Sequence, residues 1–198
     1  PYRRADAPVG RIRATVRAGR DQMRSTLLSW LPTDMSGQRL LDAGCGTGAL
    51  AAEAASRGAH VVAIDLSPTL VQLARERWQA DPLSQHVCGQ IEFLSGDMLD
   101  PALGHFDHIV AMDSLIHYDL PDLVRALETL TNRCDRSVAF TFAPHSALLA
   151  AMHRVGRWFP RSDRSPSLAP MRHRELQRHL TQALGPKGWQ EGDCLRVV

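Results

Sequence analysis

The sequence predicts an α/β protein in which a mostly parallel sheet is flanked by helices. Short apolar runs that suit buried strands alternate with longer segments of helical periodicity. Two of these runs, residues 40–42 and 60–65, each end in an aspartate, and a glycine-rich turn follows the first. Because the carboxyl ends of parallel strands meet at one edge of a sheet, we expect a ligand site at that edge.

Composition limits the class of protein. The chain has 198 residues, 44% of them hydrophobic, which suits one domain with a substantial core. The formal net charge is only +2, so overall charge gives no argument for a nucleic-acid partner. The cysteines form no C-x-x-C pair, no signal-peptide pattern opens the chain, and no apolar run approaches the ~18 residues of a membrane span. We therefore expect a cytoplasmic protein.

The glycine-rich turn is the strongest functional signal. Residues 42–48 read DAGCGTG, and a helical, alanine-rich segment follows from Ala49 to Ser56. Alternate glycines let the backbone pass close to a ligand and direct amide N–H groups toward it. A strand, a glycine turn and a helix in this order predict a cradle for an adenosine-bearing ligand.

The glycines alone leave the cofactor open. Gly44-x-Gly46-x-x-Ala49 also fits the dinucleotide fingerprint, so a nicotinamide or flavin cofactor is an alternative. Gly48 adds a third glycine at spacing two, and Asp42 puts a carboxylate at the end of the strand. A carboxylate repels a pyrophosphate but attracts an ammonium or a sulfonium. The segment, with Cys45 inside it, resembles motif I of the class I S-adenosylmethionine (SAM) methyltransferases.

Acids that follow the next two strands extend the expected cofactor site. Asp65 lies 21 positions after Gly44 (65 − 44), the offset at which an acid reaches a ribose diol, and we place its neighbour Leu66 in the same site. Capping of the following helix is the alternative for Asp65. Asp97 and Met98 follow a third strand, 91–94, and resemble the adenine pocket of the methyltransferases. This resemblance implies that the acid binds the exocyclic amine while the methionine covers the ring.

A fourth strand, 106–112, leads into Asp113, His117 and Tyr118. In this fold class the segment leaves the sheet beside the methyl donor, so we assign Asp113 to the cofactor and expect the other two near the reacting centre. Packing or helix-start chemistry is the alternative for the His-Tyr pair. A further helix and a fifth strand, 137–142, follow.

The first helix, predicted over residues 9–31, contains Gly19 and Arg20. A glycine inside a helix costs ~1 kcal/mol relative to alanine, so Gly19 indicates close approach of a ligand or of neighbouring backbone. Arg20 would then meet a carboxylate of the cofactor or substrate. A solvated basic face is the alternative.

Residues 143–184 are expected to form a basic helical insertion. Between His145 and Leu184, seven arginines stand against two acids, a net charge of +5 (7 − 2). A basic segment with apolar and aromatic residues over the cofactor edge suits a large, flat, acidic ligand. A solvated cap is one alternative, and a nucleic-acid face is another, although aromatic residues for base stacking are few.

Four segments together resemble the magnesium-protoporphyrin IX O-methyltransferases of (bacterio)chlorophyll synthesis. These segments are residues 42–48, Met112–Tyr118, Phe140–Pro144, and Trp158–Pro160 with Arg164–Pro166. The resemblance covers nearly the whole chain. It implies a Rossmann-like SAM-methyltransferase fold, with a mostly parallel seven-stranded sheet and a small helical insertion after the fifth strand.

The resemblance also implies the activity and its partners. The expected reaction is methylation of a propionate of magnesium-protoporphyrin IX by SAM, with S-adenosylhomocysteine (SAH) as product and magnesium only as part of the porphyrin. His117 and, more loosely, Tyr2 are the expected catalytic residues. The expected substrate contacts are Tyr118, Arg154, Arg161 and Arg164. The porphyrin-binding subunit of magnesium chelatase and photosynthetic membranes are implied contacts, and no metal site in the protein and no nucleic acid is expected.

We expect an arm and helix (1–36), a SAM-binding core (37–142), the insertion (143–184) and the start of a cut-off C-terminal strand (185–198). Three other functions stay open. A methyltransferase for another small acidic or aromatic molecule would keep every cofactor residue. An NAD-dependent enzyme would use the same loop, although Asp42 and the lack of a second catalytic domain argue against it. A non-catalytic SAM-binding or porphyrin-carrier protein would bind without turnover.

Overall fold

Residues 7–85, 87–144 and 169–195 are described by the structure, which is a computed structural model. The described part contains a five-stranded sheet in which every neighbouring pair is parallel, in the order β3-β2-β1-β4-β5. The strands are β1 (Arg39–Ala43), β2 (His60–Asp65), β3 (Gln90–Ser95), β4 (Phe106–Ala111) and β5 (Cys134–Phe140).

Five α-helices accompany these strands within the described residues. They are α1 (Ala7–Ser29), α2 (Ala49–Ser56), α3 (Pro68–Ala80), α4 (Leu120–Thr131) and α5 (His173–Leu184). Local chemistry sets the starts of α3 and α4. The Ser67 side chain accepts a hydrogen bond from the N–H of Leu70 (3.3 Å), and the Asp119 side chain accepts one from the N–H of Asp122 (2.9 Å). In both helices a proline stands in the first turn, where its missing N–H costs nothing.

Hydrophobic clusters cover both faces of the sheet. Leu40 in β1 faces the cluster that includes buried residues of α1, α2 and α3, whereas Leu41 faces the cluster that includes α4 and α5. Both leucines are fully buried, because alternate residues of a strand point to opposite faces. The strands therefore read as continuous apolar runs.

The strand order creates a crevice at the carboxyl ends of β1 and β4. After β1 the chain first builds β2 and β3 on one side, and then returns to place β4 on the other side. Ligands of open α/β sheets bind at this reversal of strand order. The register pairs Asp42 with Val110, so the glycine turn after β1 and the segment after β4 leave the sheet side by side.

The described part confirms the predicted parallel α/β fold, with a difference at β5. This strand covers Cys134–Phe140 rather than 137–142. Its first residues looked like a loop because Asp135 and Arg136 are polar, but both are exposed there, and the Arg136 side chain pairs with Asp107 (3.1 Å). Residues 188–195 form no strand, so the last two of the seven expected strands stay a prediction. Among the described helices, none is long and apolar enough to cross a membrane.

Candidate functional site

The three glycines of the turn after β1 each have a positive φ, but for different reasons. Their φ values are +85° at Gly44, +53° at Gly46 and +78° at Gly48. A Cβ on Gly48 would lie 3.0 Å from the Ala74 side chain and 3.1 Å from Phe93, so this glycine lets α2 start against α3 and β3. A Cβ on Gly46 would meet nothing within 4 Å, so this position borders open space.

At Gly44 the segment after β1 lies directly against the segment after β4. An added Cβ would lie 2.4 Å from the Cβ of Ser114, a distance that no pair of side chains tolerates. The Ser114 hydroxyl donates to the carbonyl of Ala43 (2.7 Å), which ties the end of β4 to the end of β1. Ser114 was not predicted as a site residue, because nothing in the neighbouring sequence distinguishes it from an ordinary turn serine.

The amide groups of the turn have partners inside the protein. The N–H groups of Gly44 and Cys45 both donate to the carbonyl of Ile64 (2.8 and 3.0 Å). The Gly46 N–H donates to Asp65, and the Gly48 N–H donates to Cys45 (2.9 Å each). The expectation that the N–H groups of this turn face a ligand is therefore wrong at these four positions. The glycines give the turn its shape.

Asp65 links β2 to the glycine turn. One carboxylate oxygen accepts from the N–H of Gly46 (2.9 Å), and the other accepts from the N–H of Ser67 (2.8 Å). The capping alternative is thus present in the structure. A carboxylate offers about four acceptor sites, so these two bonds leave capacity for two hydroxyls.

Asp42 is a buried carboxylate in which one oxygen lacks a hydrogen-bond partner. Its side chain is 1% exposed, and its Oδ2 has no hydrogen-bond partner. Burial raises the pKa of Asp42 to about 7, with the Asp65 charge adding to the effect and a hydrogen bond from the Ala51 backbone opposing it. A cation close by would lower the free energy of the ionised form. Asp42 and the open space at Gly46 therefore fit the ammonium end of SAM.

Cys45 lies in the same turn but is not a reactive thiol. It is buried, and burial together with the nearby carboxylates of Asp42 and Asp65 raises the pKa of its thiol to about 12. The thiolate, which is the nucleophilic form, is therefore negligible at neutral pH.

Asp97 and Met98, expected around the adenine, and Leu66, expected elsewhere in the cofactor site, differ in exposure. The Asp97 side chain is exposed and accepts from the N–H of Leu99 (2.8 Å), and Met98 is 9% exposed. Leu66 is 78% exposed, although it is a large apolar residue at the carboxyl edge of the sheet.

Asp113 and Arg20, both expected at the cofactor, pair with each other. The Arg20 Nε lies 3.1 Å from an Asp113 carboxylate oxygen, so α1 is linked to the end of β4. Asp113 has φ +59° and donates its N–H to the Thr141 hydroxyl (2.8 Å). Such backbone strain is common at binding sites. At Gly19 an added Cβ would meet nothing within 4 Å, so the expected close approach of neighbouring backbone is absent.

His117 and Tyr118 lie at the turn that follows β4. His117 is exposed and ends a short 3₁₀ turn that contains the buried Leu115. Tyr118 packs against the cluster of α4 and α5, and burial raises its pKa. Next to them the carbonyl of Ile116 accepts from the N–H of Ala169 (3.0 Å), so a residue within the predicted insertion lies at this edge of the sheet.

Four expected site residues lie outside the described residues. They are Tyr2, Arg154, Arg161 and Arg164. Within the part of the chain that the structure describes, no group of three or more His, Cys, Asp or Glu side chains could hold a metal ion.

The fold and the crevice define a class, the SAM-dependent methyltransferases. A family model described as "Methyltransferase domain" matches residues 40–136, which include the glycine turn. The solved structure of magnesium protoporphyrin IX methyltransferase from Synechocystis PCC 6803 with bound SAH has the same fold. It superposes with a TM-score of 0.72 at 24% identity, over 87% of this chain and 76% of that one.

Relatives narrow the class to one family. The magnesium-protoporphyrin O-methyltransferase of Rhodobacter capsulatus is 49% identical over 96% of this chain and 85% of its own length. The Synechocystis enzyme of the same name is 27% identical over 93% and 77%. A family model described as "Magnesium-protoporphyrin IX methyltransferase C-terminus" matches residues 111–196. The chain belongs to the magnesium-protoporphyrin O-methyltransferase family.

Proposed function

We propose that this chain transfers the methyl group of SAM to one propionate of magnesium-protoporphyrin IX, giving the monomethyl ester and SAH. The observation that carries the proposal is the buried Asp42 carboxylate beside the glycine turn, whose Oδ2 has no hydrogen-bond partner, in a chain of this family. When bound, SAM would supply a methyl group on a sulfonium sulfur: an O–C bond to the propionate would form as the C–S bond breaks, and the sulfur would keep the electron pair as the thioether of SAH.

The reaction asks for little acid–base help from the protein. A propionate resembles a glutamate side chain, whose reference pKa is ~4.3, so it is already ionised at neutral pH. A negative carboxylate and a positive sulfonium neutralise each other as the reaction proceeds, so exclusion of water favours it. Alignment of the reacting atoms can contribute up to ~7–11 kcal/mol in ideal cases.

We assign the cofactor contacts along the carboxyl edge of the sheet. Asp42 binds the ammonium group of SAM, and the turn of Gly44, Cys45, Gly46 and Gly48 contacts the amino-acid end through the shape of its backbone and not through these N–H groups. Asp65 binds the ribose diol through the acceptor capacity that its two backbone bonds leave. The adenine lies among Leu66, Asp97 and Met98, where the exposed Leu66 gains an apolar partner.

Arg20 and Asp113 complete the cofactor site in this proposal. Their ion pair is 3.1 Å long and links α1 to the segment after β4. Arg20 would bind the carboxylate of SAM, and the strained backbone of Asp113 is consistent with a binding role.

His117 orients the reacting propionate, or takes its proton when the acid arrives protonated, and Tyr118 contacts the porphyrin. The position of both residues after β4, three and four residues beyond Ser114, supports this assignment. Tyr2 covers the cofactor from the N-terminal arm, as the resemblance to the family implies.

We assign porphyrin binding to the insertion of residues 143–184. Its net charge of +5 suits the second, unreacted propionate, which Arg154, Arg161 and Arg164 would bind. An arginine clamped on the reacting oxygen would reduce its nucleophilicity, so these side chains should contact the other propionate.

Delivery of the substrate follows from family resemblance alone. We propose that the porphyrin-binding subunit of magnesium chelatase hands over the porphyrin, in the cytoplasm and at the surface of photosynthetic membranes. Co-sedimentation of the chain with anionic vesicles, with and without porphyrin, tests the membrane contact, and a pull-down with the purified subunit tests the handover.

The reaction is tested by an endpoint assay with three porphyrins. The protein is mixed with SAM and with magnesium-protoporphyrin IX, its dimethyl ester or the metal-free porphyrin, and products are separated by chromatography with mass detection. We expect magnesium-protoporphyrin IX to give a porphyrin heavier by one methylene, together with SAH. The metal-free porphyrin should give much less of its product, and the dimethyl ester should give none. If no porphyrin product forms although calorimetry shows that SAH binds, magnesium-protoporphyrin IX is not the substrate, and another small acidic or aromatic molecule is the methyl acceptor.

A further inference from the structure

Arg133 is a buried cation whose guanidinium is bonded to the loop after β3. It lies between α4 and β5 and is 6% exposed. Its Nη1 donates to the carbonyl of Asp100, and its Nη2 donates to the carbonyl of Met98. Both carbonyls belong to the loop in which we place the adenine contacts, so a side chain from the other half of the sheet holds that loop.

The peptide group between Met98 and Leu99 is held at both ends. Its carbonyl accepts from Arg133, and its N–H donates to Asp97 Oδ1 at 2.8 Å. Because the Asp97 carboxylate takes its direction from this peptide, fixing the peptide also fixes the carboxylate.

Burying the charged guanidinium of Arg133 costs free energy. Burial lowers the pKa of Arg133, while the carboxylates of Asp100 and Asp97 oppose the shift, and its Nε has no partner. An apolar residue of similar size would leave the carbonyls of Met98 and Asp100 without this donor, but it would avoid the cost of burying a charge. The planar fork of arginine can, however, bind two carbonyls at once, which neither methionine nor lysine can do.

We propose that Arg133 is a positioning residue for the adenine half of the SAM site: its guanidinium sets the loop of Asp97 and Met98 so that the carboxylate meets the exocyclic amine. This proposal rests on the proposed function only in placing SAM at the carboxyl edge. It assigns Arg133 no contact with the cofactor or with the porphyrin.

The test compares SAH with S-inosylhomocysteine, in which a carbonyl replaces the exocyclic amine of the adenine. Dissociation constants of both ligands are measured by calorimetry for the wild-type chain and for Arg133→Lys and Arg133→Met. Removing the bonds of one charged donor should weaken SAH about tenfold. The dissociation constant of S-inosylhomocysteine should stay close to its wild-type value, so the ratio of the two dissociation constants should move toward one. The kcat at saturating SAM should not change.

Arg136→Met is the matched control. Arg136 lies in β5, three residues after Arg133, but its Nε pairs with Asp107 (3.1 Å) at the amino end of the sheet. This variant should keep the wild-type preference for SAH.

Three results would overturn the proposal. Unchanged SAH binding in both Arg133 variants would remove its role, and equal weakening of both ligands would reduce it to general support of the fold. Failure of both variants to fold would place Arg133 in the core instead of the site. Wild-type SAH binding without porphyrin methylation would contradict the proposed function but leave this test intact.

Discussion

The carboxylate of Asp65 accepts a hydrogen bond from the backbone N–H of Gly46 across a distance of 2.9 Å. This bond joins the end of β2 to the middle of the turn that follows β1. It means that a residue expected to bind ribose also shapes the turn expected to hold the amino-acid end of the same cofactor.

Asp65→Ala should therefore damage both parts of the site. Loss of the carboxylate leaves the N–H groups of Gly46 and Ser67 without acceptors, which should lower the free energy of unfolding by ~1–3 kcal/mol. SAH binding should weaken further than 5′-methylthioadenosine binding, because only SAH also uses the turn. Denaturant unfolding and calorimetry measure the two effects. Equal losses for both ligands would confine Asp65 to the ribose.

Asp42→Asn should stabilise the folded chain although it weakens SAM binding. Its pKa is raised from 3.8 to about 7 in the folded chain, so between these values the folded state binds more protons than the unfolded state. The free energy of unfolding should therefore fall as pH rises through this window and stay low above it. Asp42→Asn should remove this slope.

Thermal unfolding between pH 5 and pH 8 checks the prediction for Asp42. The Asn variant should unfold at a higher temperature than the wild type at pH 8, with the difference shrinking toward pH 5. It should bind SAM at least about tenfold more weakly, since an ammonium loses its anionic partner. Asp135→Asn, which alters an exposed carboxylate, is the control. A wild-type slope in the Asn variant would contradict the assignment.

Gly44 and Gly46 should respond differently to alanine. Gly44→Ala forces a Cβ within 2.4 Å of Ser114, in addition to its positive φ, and should cost ~1–3 kcal/mol of folding stability. Ser114→Gly in the same chain should restore part of the loss, because it removes the clash and leaves the strain. Gly46→Ala meets no protein atom within 4 Å, so its larger effect should be on SAM affinity.

Unfolding curves and SAH titrations of these glycine variants separate the two expectations. Gly46→Ala with unchanged SAH affinity would show that the open space beside Gly46 is not where the cofactor lies.

His117→Ala should affect turnover more than cofactor binding. Orientation or proton transfer by a positioned histidine is worth about 10²-fold in rate, so kcat for the porphyrin should fall by that order. The dissociation constant of SAH should stay unchanged. His179→Ala, which alters a half-buried histidine on α5, serves as the control. A variant with wild-type kcat would exclude His117 from the reaction.

The order and type of the secondary-structure elements around the site could be predicted from the amino-acid sequence. The turn at 42–48, the helix Ala49–Ser56 and the strand His60–Asp65 were predictable, since glycine spacing, apolar runs and caps act over a few residues. The same local signals indicated Asp42 and Asp65. They failed at the start of β5, where the exposed Asp135 and Arg136 resemble a loop.

The contacts between these residues depend on the tertiary structure and could not be predicted from local sequence. Ser114 lies against Gly44, and Arg133 is bonded to the carbonyl of Met98, 35 positions earlier in the chain. Neither contact leaves a local pattern, because each depends on strand order and on how two segments leave the sheet. The raised pKa of Asp42 likewise results from burial, and burial is a property of the packed molecule.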